Sequence, residues 1–174
     1  LARELGLEWH EIAAGLEAYD GVGRRFEIVR DDGPLVIDDY AHHPEEIETT
    51  IEAARSAYPD RRLVVCFQPH QYKRTYHFMG EWAPAFESVS ELWLVDIYGA
   101  RDHGDVPRVS IEDVAREVRD GLDHLRVFAG PEALGREIER DMEPGDLFLI
   151  LGAGDIERAA DIVATTRPAS GSSE

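Results

Sequence analysis

Uninterrupted runs of apolar residues constrain the fold of this chain more than any other sequence feature. After one leading charged residue, Arg62–Phe67 and Asp146–Leu151 are apolar throughout, and residues 92–97 contain a single aspartate. A strand without polar alternation is buried on both faces, which is typical of parallel sheets that are covered by helices. The three segments therefore predict buried strands of a parallel sheet.

Segments with helical periodicity alternate with these strands. Apolar residues recur at spacings of three and four in residues 44–58 and 74–88, and each segment predicts one helix. Residues 24–29 alternate between apolar and polar, and turn residues 31–34 lead into apolar residues 35–37, which predicts an N-terminal β-hairpin. The whole pattern predicts an α/β, Rossmann-like fold, with a mostly parallel sheet of about six strands and helices on both faces.

Composition argues against several classes of partner and site. The formal net charge of −18 argues against nucleic acid or an anionic membrane as a partner. Cys66 is the single cysteine, which leaves no internal disulfide, and its apolar neighbours indicate a core position. Lys73 is the single lysine and follows no glycine-rich turn, so the chain contains no P-loop. No signal peptide or membrane-spanning segment is recognisable, and we expect a soluble protein of the reducing cytoplasm.

A cluster of ionisable residues follows the strand at residues 35–37. It comprises Asp38, Asp39, Tyr40, His42 and His43, and Pro44 then opens a helix. In open α/β sheets, ligands bind at the carboxyl ends of strands beside helix N-termini. A capped turn with solvated side chains is the plain alternative. A metal site is less favoured than a site without metal, because adjacent histidines point in different directions.

Several segments resemble one known family. In chain order they are Gly21-Val22-Gly23-Arg24-Arg25-Phe26, Asp38-Asp39-Tyr40-Ala41-His42-His43-Pro44, Phe67-Gln68-Pro69-His70-Gln71-Tyr72-Lys73-Arg74-Thr75 and Gly152-Ala153-Gly154-Asp155-Ile156. Together they resemble the C-terminal domain of the Mur ligases. The resemblance implies that residues 1–20 are the terminal helices of a preceding domain and that residues 21–167 form the C-terminal domain. We expect residues 168–174 to be a disordered tail.

The resemblance also implies an activity. Within the family, these motifs are most similar to those of the members that join L-alanine to UDP-N-acetylmuramate through an acyl phosphate, with ATP and Mg²⁺. The P-loop, the magnesium ligands and the UDP-sugar site of such enzymes lie in two preceding domains. We therefore expect this chain to bind no metal and to be inactive alone, and we expect ATP, L-alanine and UDP-N-acetylmuramate to be partners only of the complete enzyme.

Two residues match family positions near the nucleotide. The resemblance implies that Arg25 reaches the ATP phosphates, where its fixed charge and forked donors suit phosphoryl transfer. It implies that Asp39 accepts from ribose hydroxyls or orients Arg25. Backbone N–H groups of residues 152–154 are a further candidate ligand contact at a helix N-terminus. Without the resemblance, Arg25 would be read as an ordinary strand arginine paired with a carboxylate.

A second set of residues matches family positions around the incoming alanine, namely Tyr40, His42, His70, Gln71 and Arg74. Arg74 is the expected clamp for the alanine carboxylate, because a guanidinium holds both oxygens. Better-known members have arginine where this chain has Gln71 and threonine where it has Lys73. The chain therefore departs from its family next to the expected clamp.

Three other functions remain open from the sequence. A murein-peptide recycling ligase of the same family shares the Asp-Asp-x-x-His-His-Pro turn and attaches a tripeptide. A metal-dependent phosphohydrolase would use Asp38, Asp39, His42 and His103. A non-catalytic interaction domain would be favoured if no P-loop preceded the chain.

Overall fold

In the computed structural model, residues 3–18, 22–99 and 107–165 are described, and these residues form a single mixed sheet. Its six strands are β1 (Glu27–Asp31), β2 (Leu35–Asp39), β3 (Arg62–Phe67), β4 (Glu91–Val95), β5 (His124–Phe128) and β6 (Asp146–Leu151). The spatial order is β1-β2-β6-β3-β4-β5. Only β1 and β2 pair antiparallel, and the other pairs are parallel. The predicted hairpin and mostly parallel sheet are confirmed.

Seven helices are formed by the described residues: α1 (Trp9–Glu17), α2 (Pro44–Ala57), α3 (Tyr72–His77), α4 (Trp82–Ala85), α5 (Ile111–Val118), α6 (Pro131–Asp141) and α7 (Glu157–Thr165). Buried residues of α2, α4 and α5 share one core with one face of the sheet. Buried residues of α6 and α7 share a second core with the opposite face. Helices on both faces explain why the central strands carry no polar alternation.

Successive strand residues point to opposite faces and fill the two cores. In β3, Val65 and Phe67 belong to the core beside α2, whereas Val64 and Cys66 belong to the core beside α6 and α7. Cys66 is fully buried, as predicted, and burial raises the pKa of its thiol well above the ordinary value. This thiol is therefore a packing group.

The prediction of one helix over residues 74–88 is wrong. The chain forms α3 and α4 with a break at Gly80, which has a φ of +97° in the left-handed region that favours glycine. The predicted apolar face nevertheless exists, because Phe78, Trp82 and Phe86 are all buried. Helical spacing identified the buried side chains but not the interruption.

The N-terminal segment contains one helix in its described part. No residue of α1 is buried, and Trp9 and Leu16 are among its exposed apolar residues. The assignment of residues 1–20 to a preceding domain stays a prediction. The predicted tail at residues 168–174 lies outside the described residues. Within the described residues, no helix has the length and hydrophobicity needed to cross a membrane.

Candidate functional site

The carboxyl ends of β2, β6 and β3 lie level with one another. Asp39 pairs with Leu151, and Leu151 pairs with Phe67. Because these strands are parallel, the loops that follow them begin at one edge of the sheet. The loop after β4 joins them through a bridge between His70 and Tyr98. The edge at which the sequence predicted a site is therefore built from four loops.

Asp39 is buried at this edge and holds two backbone segments. One carboxylate oxygen accepts from the N–H of Phe26 at 2.7 Å, and the other accepts from the N–H of Ala41 at 2.8 Å. The first bond fixes the residue that follows Arg25. This geometry fits the predicted orienting role of Asp39.

A cavity of about 370 Å³ opens between the turn at Arg25 and the start of α2. It brings together both residues predicted to bind nucleotide, and its lining comprises Arg25, Asp39, Ala41, Glu45, Glu46, Thr49 and Thr50. Arg25 is the only cation among these seven residues, beside three carboxylates and two hydroxyls. This lining suits a ligand with hydroxyl groups and one anionic end, and it does not suit a whole polyphosphate.

Glu46 supplies a fixed negative charge on the α2 side of the cavity. Its carboxylate accepts from the N–H groups of His42 at 3.1 Å and His43 at 3.3 Å. Burial raises the pKa of Glu46, but these hydrogen bonds and the nearby positive charge of Arg25 lower the pKa below its ordinary value overall. The side chain that caps α2 is thus anionic at neutral pH.

Aromatic rings form a continuous row beside the cavity. Ring centroids are 5.4 Å apart for Tyr40 and His42, 5.9 Å for His42 and His70, and 5.6 Å for His70 and Tyr98. The Cζ atom of Arg25 lies 5.5 Å from the centroid of Tyr40. The Tyr40 ring therefore joins the predicted nucleotide side to the predicted amino-acid side.

The remaining two predicted residues lie where the loop after β3 enters α3. Gln71 has a φ of +66° and donates its N–H to the carbonyl of Tyr98 at 2.8 Å. Arg74 is half-buried on α3, and its positive charge contributes to lowering the pKa of His42. The structure thus gathers Tyr40, His42, His70, Gln71 and Arg74 at one edge.

His42 is held as a neutral imidazole with a defined tautomer. Burial lowers its pKa below the ordinary 6.5, the bond to Tyr40 and the charge of Glu46 oppose this, and Arg74 and His43 add to it. Its Nδ1 lies 3.0 Å from the carbonyl of Tyr40 and 3.3 Å from Glu46, and both are acceptors. Nδ1 must therefore carry the proton, which leaves Nε2 as an acceptor.

This pKa shift predicts a pH dependence of stability. Because the folded pKa lies below 6.5, the unfolded chain binds more protons below that pH, and His42 destabilises the fold as pH falls. The free energy of unfolding should decrease between about pH 7.5 and about pH 5.5, and the decrease should be smaller in His42→Gln. Urea unfolding at both pH values tests this. An identical decrease in the two proteins would contradict it.

Gln68 is a site residue whose role sequence reasoning missed. It is buried, and its amide donates to Asp155 at 2.9 Å and accepts from the N–H of Ile156 at 3.0 Å. It also donates to the carbonyl of Asp96 at 3.4 Å. One side chain thus ties together the loops after β3, β4 and β6. A glutamine directly after a buried apolar strand was the available signal.

The glycines after β6 are required by close packing. A Cβ at Gly154 would lie 2.5 Å from the Gln68 side chain and 2.7 Å from Tyr98, and Gly152 has a φ of +151°. The N–H of Gly152 already donates to the carbonyl of Asp39 at 3.2 Å. That donor is therefore used within the protein, and a ligand contact by this loop stays a prediction.

The described residues do not offer a metal site. They contain no group of three or more His, Cys, Asp or Glu side chains arranged around a common point. Asp38 is paired with Arg24 at 2.8 Å, and Asp39 accepts two N–H groups. His103 of the phosphohydrolase hypothesis lies outside the described residues. The side chains described here do not fit Mg²⁺, and we assign it no step.

Another cavity, of about 390 Å³, lies at the opposite edge of the sheet and contains none of the predicted site residues. Its arginines are engaged within the protein. Arg61 donates to the carbonyl of Gly33 at 2.7 Å, and Arg62 pairs with Glu91 at 2.8 Å. We therefore place the site at the carboxyl edge.

Comparison with known proteins decides the family. The profile described as "Mur ligase, glutamate ligase domain" matches residues 24–154, which include every predicted site residue. The chain belongs to the Mur ligase family. The Mur ligase match begins at Arg24 and ends at Gly154, two residues whose contacts join the first and last segments of the site.

Within the Mur ligase family, the chain is similar to individual UDP-N-acetylmuramate–L-alanine ligases. The chain is 42% identical over 168 residues to UDP-N-acetylmuramate–L-alanine ligase of Salinibacter ruber, covering 92% of this chain and 34% of that protein. It thus spans about a third of the length of the curated relatives it matches. The crystal structure of UDP-N-acetylmuramate–alanine ligase from Thermotoga maritima superposes with a TM-score of 0.71 at 25% identity, covering 93% of this chain and 34% of that one. A murein peptide ligase from Psychrobacter arcticus gives 0.64 at 21% identity, covering 95% and 35%, and shares the fold.

Proposed function

We propose that this chain is the C-terminal domain of an ATP-dependent cytoplasmic ligase that joins L-alanine to UDP-N-acetylmuramate through an acyl phosphate. One observation carries the proposal. The centroid of the Tyr40 ring lies 5.5 Å from Cζ of Arg25, which lines the cavity, and 5.4 Å from the ring centroid of His42. A nucleotide group and an amino acid would thus be held side by side, as the attack of an amine on a newly formed acyl phosphate requires.

On the nucleotide side, Arg25 meets the ATP phosphates and stabilises the negative charge that develops as the terminal phosphoryl group is transferred. Asp39 acts through the backbone of Phe26 and keeps Arg25 at the mouth of the cavity. The hydroxyl and carboxylate groups of the lining suit the ribose. Because the described lining residues include one cation, Arg25, the rest of the phosphate charge must be met by Mg²⁺ and by the preceding domains of the complete enzyme.

On the amino-acid side, Arg74 binds the carboxylate of L-alanine, assisted by His70 and Gln71. The ammonium group must lose a proton before its nitrogen attacks the acyl phosphate. Nε2 of neutral His42 is an acceptor and can take this proton, because Nδ1 is committed to Tyr40. The new C–N bond then forms as inorganic phosphate leaves.

An acceptor assay on the complete enzyme tests the proposed function. With UDP-N-acetylmuramate and ATP, we expect ADP formation to depend on L-alanine, whereas the tripeptide acceptor of the murein-peptide ligases should give none. This chain alone should form no ADP, because it contains no P-loop. Preference for the tripeptide would replace the proposal with the recycling ligase, and chelator-sensitive phosphatase activity of this chain would replace it with the phosphohydrolase.

A further inference from the structure

Two adjacent arginines in the turn before β1 have opposite surroundings. Arg25 is exposed and lines the cavity, whereas only 17% of the Arg24 side chain is exposed. The proposed function uses Arg25 and leaves Arg24 without a role. A largely buried arginine beside a functional one needs a separate explanation, because burying a charge is costly unless the charge is fully paired.

The side chain of Arg24 is fully paired, and its partners come from two distant parts of the chain. Its Nε donates to Asp38 at 2.8 Å, its Nη1 to Glu157 at 2.9 Å, and its Nη2 to the carbonyl of Gly152 at 2.5 Å. Asp38 lies on β2, and the other two lie after β6. Arg24 therefore fastens the first turn of the domain to the loop between β6 and α7.

The backbone around Arg25 is held in an unfavourable conformation. Arg24 and Phe26, on either side of it, have φ angles of +57° and +51°, which residues with a Cβ rarely adopt. The carbonyl of Arg24 accepts from the N–H of Tyr40 at 2.9 Å, and Asp39 accepts from the N–H of Phe26. Such a conformation persists only where surrounding contacts impose it, and it is typical of functional sites.

Both guanidinium groups face the same ring. The Cζ atoms of Arg24 and Arg25 lie 5.3 Å and 5.5 Å from the centroid of Tyr40. A displacement of Arg24 would therefore release the turn and also change the surface against which Arg25 rests.

We infer that Arg24 is a positioning residue, which fixes Arg25 toward the cavity by anchoring the left-handed turn to Asp38 and to the loop after β6. This inference rests on the proposed role of Arg25 in binding phosphate. Arg24 itself touches no substrate in this scheme. Its effect on turnover should therefore exist only while Arg25 is present.

Arg30, which lies on β1, provides a matched control. It is also largely buried, pairs with Asp32 at 2.6 Å and donates to the carbonyl of Val163 on α7 at 3.4 Å. Arg24, in the turn before β1, and Arg30, on β1, thus both contact α7 or the loop before it. Arg30 lies away from the cavity.

The test is a double-mutant cycle in the complete enzyme, with Arg24→Met, Arg25→Met, the double variant and Arg30→Met. We expect Arg24→Met to lower kcat at least about tenfold, and to lower the melting temperature no more than Arg30→Met does, while Arg30→Met keeps wild-type kcat. In the Arg25→Met background, Arg24→Met should cause little further loss of kcat. Arg24→Lys keeps one charge beside Asp38 but cannot reach all three partners, and it should lose kcat to an intermediate degree.

Each other result overturns the inference. If Arg24→Met matched Arg30→Met in kcat, or if the two arginine effects multiplied in the double variant, Arg24 would not act through Arg25. If Arg24→Met did not fold, the test would rest on Arg24→Lys, and a wild-type kcat in that variant would overturn the inference. Wild-type kcat in Arg25→Met would remove the proposed role of Arg25 and the inference together, which separates that failure from the failure of Arg24 alone.

Discussion

Replacing Arg25 with methionine in the complete ligase is expected to lower kcat by roughly a hundredfold to a thousandfold. Among the described residues that line the cavity, Arg25 is the one cation. If it meets the ATP phosphates as proposed, its charge is needed most when phosphoryl transfer spreads negative charge over the oxygens. An interaction of this kind is lost from kcat as well as from kcat/KM. ADP release at saturating concentrations of all three substrates measures the effect.

Two further variants decide whether the loss is specific to Arg25. Arg25→Lys keeps the charge but loses the planar, two-pronged guanidinium, so its turnover should lie between that of Arg25→Met and that of the wild type. Arg116 on α5 is an exposed arginine paired with Asp113, and Arg116→Met should leave kcat unchanged. Because Arg25 is exposed, its variants should melt at the wild-type temperature. Wild-type turnover in Arg25→Met would return Arg25 to an ordinary surface arginine.

The sheet was predictable because its signals are local. Buried strands such as Arg62–Phe67 and Asp146–Leu151 are apolar over their whole length, and the structure gives both the predicted bounds. The helical break at Gly80 was not predictable from apolar spacing, since Phe78 and Trp82 remain buried on either side of it. Strand order was not predicted either, because the sequence carries no local signal that inserts β6 between β2 and β3.

The residues of the candidate site could be named from short motifs, whereas contacts between distant segments could not be predicted. Arg25, Asp39 and His42 lie in short motifs that the family resemblance identifies, and the structure brings them to one edge. The roles of Arg24 and Gln68 were missed because their hydrogen-bond partners lie far away along the chain. Arg24 bonds Gly152, 128 positions away, and that contact exists only because β6 lies beside β2. Roles that depend on strand order need the structure.

The largest expected effect on substrate affinity is that of Arg74→Ala. If Arg74 binds the carboxylate of L-alanine, its removal leaves that carboxylate without its charged partner, which costs on the order of 2–5 kcal/mol where the contact is shielded from solvent. The KM for L-alanine should therefore rise roughly thirtyfold or more, while the KM for ATP changes little. His77 on the same helix is exposed, and His77→Ala should leave both constants unchanged.

Adding an arginine at Gln71, in the loop before α3, gives the sharpest test of whether Arg74 binds the alanine carboxylate. Gln71 already has a φ of +66°, and arginine meets the same backbone strain as glutamine, so Gln71→Arg changes the donor and not the conformation. In the wild-type background, the guanidinium introduced by Gln71→Arg should lower the KM for L-alanine modestly. In the Arg74→Ala background the decrease in KM should be larger, because there the new guanidinium replaces the missing charge. The four proteins are compared by alanine titration at saturating ATP and UDP-N-acetylmuramate. Two results would contradict the assignment: a rise in the KM for ATP instead of L-alanine in Arg74→Ala, or no decrease in the KM for L-alanine when Gln71→Arg is added to Arg74→Ala. The alanine carboxylate would then have to bind elsewhere on this edge.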